Sequence, residues 1–225
     1  MRDQPLTLED TNLLVQLDDQ MAAVNARARQ SLVQITSGSG WHKGAGAGTI
    51  WHPDGLIVTN AHVIARRRVQ VTLPDGQVLP ARVLAADENL DLAALQVEAS
   101  DLPPINLGHS KTLRPGQWVT AVGHPWGVLG ASTSGIVIGA GREFPELVAQ
   151  GREWIAVSLH MRPGHSGGPL LDAEGNVVGI NTMITGPDVG FAIPVDVIKS
   201  FLKAALVRDE DSAHESAHTH RDSLI

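Results

Sequence analysis

From Ser31 onward the chain is built of short apolar runs separated by turn residues. "SLVQIT", "AGTIW", "GLIVTN", "RVQVTL", "VLPARVLAA" and "DLAALQV" come first, and "WVTAVG", "SGIVIGA", "EWIAVSL", "VVGINTMI" and "GFAIP" follow. Turn signals such as Pro53-Asp54-Gly55, Pro74-Asp75-Gly76 and Glu174-Gly175-Asn176 stand between them. Runs of this length with this punctuation predict many short antiparallel strands, in a barrel or sandwich, and not alternating βαβ units. A glycine- and proline-bearing join from Leu107 to Gln117 splits the runs into two similar halves. That division predicts two small barrels packed together.

The flanks have a different period. Residues 6–30 lack glycine, and Leu13, Leu14, Leu17, Met21 and Val24 recur at helical spacing, with Thr7 or Asp10 as the cap. After Ile193, "PVDVIKSFLKAAL" reads as a closing helix, and the polar stretch 208–225 reads as a mobile tail. The predicted organisation is therefore a helical segment over 1–30, a strand-built domain over 31–207 and the tail. Within the domain the first barrel covers about 31–110 and the second about 115–205.

Composition narrows the function classes. Across 225 residues the net charge is −7, and the 17 Lys and Arg residues form no long basic run beyond Arg66-Arg67-Arg68, which argues against nucleic acid as a partner. There is no cysteine, so neither a disulfide framework nor a thiolate metal site exists. No apolar run approaches the roughly 20 residues that span a bilayer, so membrane insertion is not expected. The opening "MRDQPLTLEDTNLL" is acidic and polar, unlike a signal peptide, which predicts a soluble chain kept in the cytoplasm.

Candidate chemistry centres on "RPGHSGGPLLDAEGNVVGINT", Arg162 to Thr182. A nucleophilic serine needs a base within hydrogen-bond reach and donors aimed at the developing oxyanion. Gly164, Gly167 and Gly168 give the chain around Ser166 the freedom to turn main-chain N–H groups toward one point, and Pro169 stiffens the exit. His62, where the run "GLIVTN" gives way to "AHVI", is the candidate base. Asp91 heads the run "DLAALQV" between Leu90 and Leu92; an acid placed there is partly buried and needs a partner such as an imidazole N–H. Asp87 is the rival acid, in a more polar turn. The order His62, Asp91, Ser166, with the first two in one half and the third in the other, is the chain order of the chymotrypsin triad on its two β-barrels.

Two other motifs compete. "GHSGG" also satisfies the G-x-S-x-G elbow of α/β-hydrolases, but that fold needs its acid and histidine after the serine, where only tail histidines stand. "HESAH", His214 to His218, matches the H-E-x-x-H zinc motif with His220 as a third ligand, yet its surroundings offer no apolar face to bury. No metal and no cofactor are therefore expected.

Taken together, "GTIWHPDGLIVTNAHVI", "DENLDLAALQV", "RPGHSGGPLLDAEGNVVGINT" and "GFAIPVDVI" resemble the HtrA (Deg) branch of trypsin-like serine peptidases over about residues 30–205. The resemblance implies an all-β fold of two six-stranded antiparallel barrels and an endopeptidase acting on unfolded or extended polypeptides. It implies His62 as general base, Asp91 as orienting acid and Ser166 as nucleophile. The main-chain N–H groups of Gly164 and Ser166, with His165 between them, match its oxyanion hole. His160 and Met161 match the stretch that lines its primary pocket, with an apolar preference expected. Ile180, Asn181 and Thr182, within "GINTM", match the strand that pairs with substrate. Trimer contacts through the N-terminal helix and a periplasmic location follow from the resemblance too.

Departures are visible. His165 stands where the family usually has asparagine, and "AVSLHMR" replaces a more usual polar run. Too few residues follow the closing helix for the PDZ domains that many relatives carry. The competing function classes are a catalytically silent chaperone-like or peptide-binding module on the same fold, and an esterase-like acyl transferase.

Overall fold

The structure, a computed structural model, describes residues 8–38, 44–64, 68–141, 153–185 and 188–205. A long helix, α1 (Leu8–Gln30), leads into twelve strands, and a second helix, α2 (195–205), follows the last. The strands are β1 (Leu32–Ser37), β2 (Gly44–His52), β3 (Leu56–Thr59), β4 (Val69–Thr72), β5 (Val78–Asp87) and β6 (Leu92–Val97). Then come β7 (Trp118–Gly123), β8 (Ala131–Gly141), β9 (Trp154–Ser158), β10 (Pro169–Leu171), β11 (Val177–Thr185) and β12 (Val189–Pro194).

They close into two antiparallel barrels, β1-β2-β3-β6-β5-β4 and β10-β11-β12-β9-β8-β7. Closure removes the free edges that an open six-stranded sheet would leave. The double barrel and its two helices match the sequence expectation. Each predicted apolar run lies on a strand; β10 is the strand the sequence pattern did not reveal.

Each barrel has its own interior: Val33, Ile35, Ile50, Ile57, Val71 and Leu95 pack in the first, and Val119, Val137, Ile155, Val157 and Leu170 in the second. A third cluster joins them. It brings Ala47, Val58 and Leu92 of the first barrel against Val122, Ile180 and Ile193 of the second, and adds Val24 and Ala28 from α1 and Ile198, Phe201 and Leu202 from α2.

Helix α1 confirms the helical period but not its packing. Among its described side chains only Val24 and Ala28, in its C-terminal part, are buried, while Leu13, Leu14 and Leu17 are more than half exposed. Asp10 lies inside α1 rather than ahead of it, and Thr7 falls outside the described residues, as does the tail 208–225 with its "HESAH" motif.

Because Ile180 is fully buried in the cluster that joins the barrels, Ile180→Ala should cost about 2–5 kcal/mol. Urea unfolding followed by fluorescence and far-UV circular dichroism should still show one transition, shifted to lower denaturant. Two separate transitions in the parent chain would contradict a shared core.

Candidate active site

Strand β3 ends at Thr59 and the chain turns into a short 3-10 segment, Ala61–Ile64. Ala61 and Val63 are buried, which turns His62 between them outward. Asp91 ends the turn between β5 and β6 in the left-handed region, φ 54°, a conformation aspartate tolerates better than most residues. Three donors meet its carboxylate. The His62 ring lies with Nδ1 2.9 Å from Oδ2 and 3.0 Å from Oδ1, the His62 main-chain N–H donates to Oδ1 at 3.1 Å, and the Thr182 hydroxyl donates to Oδ2. The Asn60 amide also fixes the turn by donating to the Asp91 carbonyl at 2.9 Å.

Burial by itself would raise the Asp91 pKa, but the bonds from His62 and Thr182, with the His62 charge, outweigh it and hold the carboxyl below its ordinary value. The carboxylate accepts from Nδ1, which leaves His62 Nε2 as the ring's free basic atom. Half of the His62 side chain is exposed, against a fifth of the Asp91 side chain. Asp87, the rival acid, is occupied elsewhere: its Oδ1 accepts from the N–H groups of Asn89 and Leu90.

Ser166 sits in a loop gripped by both barrels. Its carbonyl accepts from Ala47 N–H at 2.8 Å, Gly167 N–H donates to Asn181 at 2.9 Å, and Thr49 Oγ1 donates to Gly167 at 3.2 Å. The turn before it, Arg162-Pro163-Gly164-His165, is closed by His165 N–H to Arg162 at 3.0 Å. Proline second and a glycine at φ 107° third are the pattern of a type II turn. A Cβ on Gly164 would also lie 2.6 Å from the His124 carbonyl, so glycine is required twice over. Neither Gly164 N–H nor Ser166 N–H has an acceptor among the described residues. The Ser166 hydroxyl donates to the Thr182 carbonyl at 3.1 Å, so His62 is not its acceptor in this state.

Residues 46–180 match the trypsin-like peptidase domain family. The chain belongs to that family, in its HtrA branch. It is 38% identical over 179 residues to "Serine protease HTRA2, mitochondrial" of Drosophila pseudoobscura pseudoobscura, a match covering 77% of this chain and 42% of that protein. Among solved structures it is similar to the HtrA-type protease AlgW with a tripeptide, at 32% identity and a TM-score of 0.74, covering 81% of this chain and 62% of that one. AlgW with a decapeptide gives 27% identity and the same TM-score, covering 84% and 68%. The chain thus spans about two fifths of the length of the curated relatives it matches.

In this HtrA-type domain the remaining expected site residues divide. Thr182 lies beside both Ser166 and Asp91. Ile180 and Asn181 do not reach the surface. Both are fully buried, and both pair with β12 on one side while meeting the Gly168–Pro169 segment on the other. β10 begins only at Pro169, so the β11 edge left open starts at Thr182. Met161 is buried in the second barrel beside Val157 and Leu159, its Cε over Gly190 where a Cβ would lie 2.1 Å away. His160 is half exposed and pairs with Asp188 at 2.8 Å, with the Arg162 guanidinium at its other ring nitrogen. Arg162 also lies over the exposed Trp126 ring, 5.9 Å from its centroid. Among the described residues, no three His, Asp or Glu side chains gather as a metal site, and no helix is long and apolar enough to cross a membrane.

The Thr182 hydroxyl as a support for Asp91 was not legible in the sequence. Thr182→Val should bring the Asp91 pKa closer to its ordinary value. A depressed carboxyl contributes stability above its unfolded pKa and loses it as pH falls through the folded pKa. In the variant this loss should be smaller and be complete at a higher pH. Carboxyl-carbon NMR titration of Asp91 checks it; an unchanged midpoint would contradict the role given to Thr182.

Proposed function

We propose that the domain is a serine endopeptidase that cuts extended, unfolded polypeptides, with His62 as base, Asp91 as orienting acid and Ser166 as nucleophile. The observation that carries this reading is where the barrels meet. There, Thr182 meets both the carboxylate that holds the His62 imidazole and the Ser166 hydroxyl, and among the described residues neither Gly164 N–H nor Ser166 N–H has an acceptor.

A substrate strand laid along the open β11 edge pairs through its main chain, which is tolerant of sequence. A substrate N–H directed at the Thr182 carbonyl competes with the Ser166 hydroxyl for that acceptor and frees Oγ to turn toward His62. Oγ then attacks the scissile carbonyl while His62 Nε2 takes its proton. Gly164 and Ser166 N–H groups hold the oxyanion, and Asp91 stabilises the imidazolium. His62 returns the proton to the departing amine, leaving an ester on Ser166. Water, deprotonated by His62, attacks that ester; the intermediate collapses and the Ser166 hydroxyl regains its proton. The Met161 thioether and Gly190 favour an apolar side chain at the scissile residue. The N-terminal leucines exposed on α1 support self-association through that helix.

Hydrolysis of unfolded casein should fall by roughly 10³-fold or more in Ser166→Ala and be indifferent to a chelator. Equal cleavage by parent and variant would overturn the assignment. A fluorophosphonate should label Ser166 in the parent; an unlabelled, inactive parent would favour the catalytically silent binding module.

A further inference from the structure

We propose that His124 and His165 are positioning residues for the oxyanion turn: as neutral rings they hold Arg162–His165 in the form that leaves Gly164 N–H free, and protonated they release it. The inference rests on the reading of Gly164 and Ser166 as the oxyanion site.

Both residues are buried and hold the same turn, His165 through its ring and His124 through its main chain. The His165 ring folds back on its own turn, with Nδ1 3.1 Å from both the N–H and the carbonyl of Arg162. On the other side, His124 N–H donates to the Gly164 carbonyl at 2.8 Å. The His124 ring is fixed in turn by Gly130 N–H, which donates to its Nδ1 at 3.2 Å. In both residues Nε2 is buried without a hydrogen-bond partner. The Val33 main chain acts on the His124 ring and favours its cation, though less than burial disfavours it.

At Nδ1 a neutral imidazole accepts the N–H that each site offers, and an imidazolium cannot. A second proton on His124 sets an Nδ1–H against the Gly130 N–H, donor against donor. A second proton on His165 removes the acceptor for Arg162 N–H. The charged and titratable groups acting on His124 are Arg29 of α1 and His165, and both disfavour the cation; the Arg162 main chain favours the cation of His165. Burial is the largest influence on each ring and lowers both pKa values. Arg29 is itself held by the Leu129 carbonyl at 3.0 Å, so it cannot easily swing away. Relief therefore comes from moving the rings outward, and the turn moves with them.

The test compares the parent with the double variant His124→Asn/His165→Asn, whose amides do not titrate. Profiles of kcat/KM for a peptide substrate, each scaled to its own alkaline plateau, are followed down in pH. His62 alone gives an acid limb with a slope of about one. The parent's limb should steepen beyond that as the buried rings take up protons, and the variant's should stay near one. A second readout needs no turnover: in ¹⁵N-labelled Ser166→Ala protein, the Gly164 amide signal should move with the midpoints of the His124 and His165 ring nitrogens. Matching slopes of about one in both proteins, or a Gly164 amide that stays still while those rings titrate, would overturn the proposal. Absence of turnover at every pH would count against the peptidase reading alone, and the Gly164 titration would still decide this one.

Discussion

The loop that carries Ser166 is held by main-chain hydrogen bonds from three directions, and the rest of the site depends on that grip. Ala47 reaches it from the first barrel, His124 from the end of β7, and Asn181 from β11, at 2.8 to 2.9 Å. Such bonds are short and independent of side-chain identity, so the loop's shape follows from how the barrels pack on one another. That closeness forbids a side chain at Gly167, where a Cβ would lie 2.0 Å from the Ala47 carbonyl at φ 83°. The cluster that joins the barrels therefore underlies the site: Val58 and Leu92 of the first barrel pack with Ile180 and Ile193 of the second.

Electrostatic order follows from the same packing. Asp91 cannot leave its place without giving up bonds from the His62 ring, the His62 main chain and Thr182. Thr182 couples the two halves of the site, since its hydroxyl meets the acid while its carbonyl holds the Ser166 hydroxyl. The Ser166 hydroxyl is thus kept by the residue at which the open β11 edge begins. The His62 side chain is half exposed.

The strands were legible because short apolar runs between Pro-Asp-Gly turns leave few alternatives, and His62, Asp91 and Ser166 were legible as candidates because each stands where a strand begins, ends or gives way to glycines. β10 was not legible: it is three residues long and begins with proline straight after two glycines. The limits of the substrate edge were not legible either. Ile180 and Asn181 lie on the same strand as Thr182, and only the length of neighbouring β10 separates interior from edge. Thr182 as a hydrogen-bond donor was hidden because a threonine in a strand is an ordinary β-former. His124 gave no signal, since its role arises from contact with a turn about forty residues away. For α1, periodicity revealed the helix but not that its N-terminal leucines would find nothing to pack on within the described residues.

The most direct measurement is a crystal structure of the chain after reaction with a peptidyl phosphonate. The account predicts a covalent bond to Ser166 Oγ, the phosphonyl oxygen about 2.7–3.1 Å from both Gly164 N and Ser166 N, and His62 Nε2 turned toward the adduct. A phosphonyl oxygen facing away from those N–H groups, or an adduct on another residue, would contradict it.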